Sequence, residues 1–172
     1  AEEVEMIRTA KRYNPSITAE TSANYLWFDE RDYSSLEFKI KCNPSIKAEK
    51  DRRYLIEGLK DGTIDTIGSD HAPHLLSEKD QPYFTSPSGI PSIQQSLSVV
   101  MTVSQEAGIP LTRIATIFSE KIASMLNIRG RGKLQEGYYA DLVIIDPDEE
   151  FIVGNAAGYS KSGSAAISYK CG

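Results

Sequence analysis

The sequence predicts an α/β fold with parallel strands, and three observations predict it. Residues 16–21, 36–42 and 64–67 each read as a short strand that runs into a polar or turn-forming segment. Helix-like segments at residues 1–13 and 48–60 lie before the first of these strands and between the second and third. A helix between two strands carries the chain back across the sheet, so the strands run parallel; strand, loop and helix together are the repeating unit of a barrel.

In residues 1–13, Val4, Ile7 and Ala10 keep a three-to-four spacing with charges between them, and Asn14-Pro15 ends the helix. The strand at 16–21 leads into a loop at 22–28, in which Trp27 and Phe28 are expected to pack into the core. Residues 29–35 are a polar, turn-rich connection. Residues 36–42 alternate Leu, Phe, Ile and Cys against Glu and Lys, a period-two pattern that predicts a strand. It ends at Asn43-Pro44, which on its own reads as a turn.

Residues 48–60 form a charged helix with Tyr54, Leu55 and Leu59 on one side, stopped by Asp61-Gly62. After the third strand comes a loop at 75–89, rich in Ser, Pro, Asp and Lys, and then a long apolar helix at 92–107. Gly108-Ile109-Pro110 separates this from two short helices expected in 111–127, meeting near Ser119. Glycines at 130, 132 and 137 mark tight turns, residues 141–146 read as a β-branched strand, and residues 160–164 as a small polar loop.

Composition narrows the function. The 172 residues carry a formal net charge of −5 with 40% hydrophobic residues, which suits a packed core rather than disorder. A mildly acidic chain without a basic cluster argues against a nucleic-acid partner. No run is long enough to span a bilayer, and the start does not resemble a signal peptide. Cys42 and Cys171 lie far apart without metal-type spacing, as expected of free thiols in a reducing cytoplasm.

The most informative stretch is residues 64–74, Ile-Asp-Thr-Ile-Gly-Ser-Asp-His-Ala-Pro-His. It breaks at Gly68-Ser69 and then delivers Asp70, His71 and His74, the last two being the only histidines of the chain. The end of a packed strand is where α/β folds place chemistry, because the strand fixes the backbone while the loop aims side chains. Asp70 is either a turn cap or a metal ligand and general base. The histidines are either local hydrogen-bonding groups or, for His74, a substrate contact.

Asp70-His71-Ala72-Pro73-His74, followed by Glu78-Lys79, resembles the eighth barrel strand and loop of dihydroorotases in the amidohydrolase superfamily. Residues 130–146, Gly-Arg-Gly-Lys-Leu-Gln-Glu-Gly-Tyr-Tyr-Ala-Asp-Leu-Val-Ile-Ile-Asp, resemble the return from the barrel to a small β domain in many amidohydrolases. The resemblance implies a (β/α)₈ barrel, with the three strands as strands six to eight. Residues 1–129 would be the C-terminal part of the barrel, and residues 130–172 the return segment. Since such a barrel takes about 250 residues, the chain is expected to be part of a larger protein.

By that resemblance the reaction is the reversible cyclisation of N-carbamoyl-L-aspartate to L-dihydroorotate in pyrimidine biosynthesis, with one or two Zn²⁺ ions. Asp70 would bind the metal and shuttle the proton; Asn43 and His74 would contact substrate, and Gly89 would let the backbone approach it. The resemblance gives His71 no role, and it reads as structural. The frame Glu20-x-x-x-Asn24-x-Leu26 puts Asn24 where the family has a histidine ligand, and an amide oxygen suits zinc poorly. Most metal ligands would lie in a missing N-terminal part of the same protein, so this polypeptide alone is expected to be inactive. A small-molecule substrate is the expected partner, and a homodimer is left open. A non-catalytic scaffold, motivated by Asn24, and another cyclic amidase of hydantoinase or allantoinase type are the alternatives.

Overall fold

The computed structural model describes residues 1–149, 151–152, 160 and 170–171. Helix α1 (Glu2–Tyr13) has Glu2, Glu3 and Glu5 in its first turn and Lys11 and Arg12 in its last, so each end of the helix dipole meets opposite charge. It turns Val4 inward, and the Asn14 N–H closes its last turn on the Ala10 carbonyl. Strand β1 (Glu20–Ser22) runs directly into the short helix α2 (Ala23–Trp27). After α3 (Tyr33–Leu36) and a turn-rich stretch, helix α4 (Glu49–Asp61) carries the chain back to strand β2 (Thr66–Gly68).

Strands β1 and β2 pair in parallel, with Glu20 opposite Thr66, Thr21 opposite Ile67 and Ser22 opposite Gly68. The Asp65 N–H extends the ladder to the Ala19 carbonyl at 2.8 Å. Helix α5 (Leu76–Lys79) and a long connection follow, then α6 (Ser96–Ala107). Helix α7 (Leu111–Ala115) continues through a π-helical turn at Thr116–Glu120 into α8 (Lys121–Met125). The break expected near Ser119 is therefore a wide turn within one helical run. Last come β3 (Phe151–Ile152) and β4 (Lys170–Cys171), which pair antiparallel.

The core lies between the strands and the helices. Ile64 and Ile67, Leu26 and Phe28, Leu59, and Val99, Val100 and Val103 of α6 form one buried cluster with Ile40, Cys42 and Ile46. Each such aliphatic side chain contributes on the order of 2 kcal/mol by leaving water. Trp27 is partly buried against the same cluster.

Several expectations change. The segments read as loops at 22–28 and 75–89 each contain a short helix, α2 and α5. Residues 36–42 are not a strand: α3 gives way to a 3-10 turn at Glu37–Ile40. Because β1 and β2 hydrogen-bond to each other directly, no edge between them is free for a third strand. Ile40, Cys42 and Ile46 reach the core from turns instead. Residues 141–146 are also not a strand. Leu142 and Val143 are exposed and Ile144 is 98% exposed, since no strand among the described residues pairs with them and a lone strand leaves its backbone bonds to water. Helix α6 starts at Ser96 rather than Ser92: residues 93–95 form a turn, and the Ser92 and Ile93 N–H groups donate to His71. The loop expected at 160–164 lies, apart from Ser160, outside the described residues.

Candidate active site

Asp70 stands just past the C-terminal end of β2, with a positive φ of 47° that an aspartate tolerates better than most residues. Its side chain opens into a cleft of about 570 Å³ lined also by Glu20, Ser22, Tyr25 and Asn43. Partial burial pushes the Asp70 carboxyl above the usual carboxylate range. Glu20 reaches across the strand pair, where its Oε2 accepts from the Thr66 hydroxyl at 3.2 Å.

The wall containing Asn43 is pinned to α2 through Tyr25, whose hydroxyl donates to the Pro44 carbonyl at 2.9 Å. Burial, with Cys42 and Asp70 nearby, pushes the Tyr25 pKa up, so the phenol keeps its proton and its role as donor. The Cys42 thiol lies 3.3 Å from the same carbonyl. Burial raises its pKa, which disfavours the thiolate that a metal ligand would need.

His74 and Gly89 form a second group beside this cleft. The His74 Nε2 lies 3.1 Å from the Ser88 carbonyl, so that nitrogen carries the proton and donates. Gly89 is buried with φ +143°, and a Cβ there would lie 3.1 Å from His74 Cδ2. The two groups are joined by His71. A parallel bridge links His71 to Ile90, the Ala72 N–H donates to the Ile90 carbonyl, and the Ser92 hydroxyl donates to the Ser69 carbonyl at 2.5 Å. His71 Nδ1 accepts from the Ser92 and Ile93 N–H groups at 3.0 and 3.2 Å, which is a structural use of the ring.

The structure thus brings Asp70 and Asn43 into one cleft and His74 and Gly89 against each other. It does not bring Asn24 to either group. Asn24 is 1% exposed, does not line the cleft, and neither of its amide atoms has a hydrogen-bond partner.

A resident divalent metal would find two carboxylates in this cleft, Asp70 and Glu20, the second already accepting from the Thr66 hydroxyl. Catalytic zinc takes about three protein ligands, and among the described residues no three His, Cys, Asp or Glu side chains converge. The donor set of this chain is incomplete.

Two participants escaped the sequence reading. Tyr25 looked like another loop aromatic. Lys79, fully buried, sits in a polar stretch that gives no sign of burial.

An amidohydrolase family model matches residues 5–167. The dihydroorotase of Methanosarcina mazei is 37% identical over 154 residues, which are 85% of this chain and 34% of that protein. The dihydroorotase of Bacillus cereus is 35% identical over 170 residues, 98% of this chain and 40% of that protein. The chain spans about a third of the length of the curated relatives it matches. Among solved structures, the L-hydantoinase (dihydropyrimidinase) from Arthrobacter aurescens superposes with a TM-score of 0.85 at 28% identity, covering 90% of this chain and 36% of that one.

Proposed function

Because this chain belongs to the amidohydrolase family, we propose that it is part of a dihydroorotase, a cyclic amide hydrolase that interconverts N-carbamoyl-L-aspartate and L-dihydroorotate in the cytoplasm. One observation carries the reading: Asp70, at the tip of a parallel strand, shares a cleft with Asn43. The dihydroorotase relatives supply the substrate class.

In the hydrolytic direction, the Asp70 carboxylate accepts a proton from the attacking water and hands it to the ring nitrogen as the C–N bond breaks. A carboxylate suits this shuttle because it can hold the proton between the two steps. Asn43 and His74 contact the substrate, and the Gly89 backbone approaches it closely. A bound zinc would lower the pKa of its water from about 16 toward 7 and polarise the carbonyl. In this reading Asp70 is one ligand and the others come from the rest of the protein.

The direct pairing of β1 with β2 supports counting them as consecutive barrel strands. The place of Asn24, read from the frame Glu20-x-x-x-Asn24-x-Leu26, does not depend on that count. The same reading divides the chain at residues 129 and 130, with the antiparallel β3–β4 pair in the small β-rich part.

A hydantoinase-type activity is the second reading, favoured by the likeness to the L-hydantoinase structure. Turnover of L-dihydroorotate, hydantoin and allantoin by the complete protein carrying this chain separates the two. We expect dihydroorotate to be preferred in kcat/KM, and activity to be lost on chelation and restored by zinc. A preference for hydantoin would overturn the assignment.

A further inference from the structure

The segment from Tyr83 to Gly89 has an unusual way of satisfying its carbonyls. The Lys41 ammonium faces the carbonyl oxygens of Tyr83 at 2.7 Å, Phe84 at 3.3 Å and Ser86 at 2.7 Å. The Lys79 ammonium faces those of Pro87 at 3.3 Å and Gly89 at 2.6 Å, and His74 takes that of Ser88. Six carbonyls of a segment that belongs to no helix or sheet thus meet side-chain nitrogens. An ammonium has three donors, and the three carbonyls use all of those on Lys41.

Lys79 is fully buried, and no carboxylate among the described residues pairs with it. A buried ammonium without a counter-ion is costly, and carbonyl dipoles are what hold it in place. The Gly89 N–H in turn donates to the Lys41 carbonyl at 2.8 Å, and the Lys41 ammonium lies 5.1 Å from the centre of the Tyr83 ring. One end of the segment is therefore tied to Lys41, and the other to both lysines. Burial pushes the Lys79 pKa down to about 8, which leaves the side chain largely charged at neutral pH.

We propose that Lys41 and Lys79 are positioning residues that act as a two-ammonium clamp on residues 83–89, setting Gly89 against His74 and the Asp70 loop. The clamp rests on the proposed reading of the site, in which the Gly89 backbone meets the substrate. Neither lysine touches the reacting atoms; both act through the segment they hold.

The test compares Lys41→Met and Lys79→Met with wild type in the complete protein, by kinetics on L-dihydroorotate and by amide hydrogen exchange over residues 82–91. Each variant should raise KM about tenfold with kcat within about threefold, as loss of binding shared by ground and transition states does. Exchange at the Ser86 and Gly89 amides should speed up, and Lys41→Arg, which keeps charged donors, should restore KM.

An unchanged KM in Lys41→Met, whatever its melting temperature, overturns the proposal. Should Lys79→Met fail to fold, the partly exposed Lys41 still decides the matter. If wild type does not turn over dihydroorotate, the functional reading fails separately; the clamp then stands on faster exchange in the variants and falls if exchange is unchanged.

Discussion

Replacing Gly89 by alanine tests how closely the backbone must approach the site. Its φ of +143° lies where residues with a Cβ are rarely found, a strain of about 1–3 kcal/mol. The added methyl would also lie 2.3 Å from the Ala72 carbonyl oxygen and 2.8 Å from the Ala72 Cβ. Relaxed carbon–oxygen contacts start near 3.3 Å, so the segment must retreat by roughly 1 Å. Overpacking of that kind costs about 1–3 kcal/mol where the neighbours are fixed. The segment is expected to swing outward instead, and a misplacement of about 1 Å can cost about 100-fold in rate. Steady-state kinetics of Gly89→Ala in the complete protein should therefore show kcat/KM down about 100-fold. Gly108→Ala is the control: it also has a positive φ, +68°, but nothing lies within 4 Å of the added methyl. It should cost about 1 kcal/mol of stability and leave kcat/KM unchanged. Wild-type kinetics in Gly89→Ala, or an equal loss in both variants, would refute the close-approach argument.

Asp70→Asn keeps the shape of the side chain and removes the proton acceptor, so kcat should fall by at least about 10³-fold, within the range expected for a lost general base. Parallel metal analysis should show reduced zinc content. Asp65, 6% exposed by side chain, pairs with Lys11 and Lys121 and accepts from the Ala19 N–H at the opposite end of the strands. Asp65→Ala should lower stability by about 2–3 kcal/mol in denaturant unfolding, less than a fully buried pair because both lysines can reach water. Burial alone would raise the Asp65 pKa, but Lys11, the Ala19 N–H and Lys121 more than offset it and hold the carboxyl below its usual value. Its stabilising contribution is therefore present above about pH 4 and lost as pH falls through the folded-state value. Unfolding followed below pH 4 should show a smaller acid-induced loss in Asp65→Ala than in wild type.

Local signals were legible where one residue's neighbours in the chain decide its state. Charge order and Asn14-Pro15 determined α1, Asp61-Gly62 ended α4, and the strand-to-loop break at Gly68-Ser69 located Asp70 from chain order alone. The alternation at residues 36–42 was a true pattern with a different outcome. Its apolar members do reach the core at Ile40 and Cys42, but β1 and β2 already satisfy each other's backbone bonds.

Pairing between segments more than forty residues apart leaves no mark in local periodicity. That is why the adjacency of β1 and β2 came only from the fold. The same holds for Lys79. Its chain neighbours are polar, and its burial is set by carbonyls of a segment that returns from Pro87 and Gly89. The amino-acid order determined which residues carry chemistry; three-dimensional packing decided which of them meet, because hydrogen-bond partners distant in the chain are chosen by geometry.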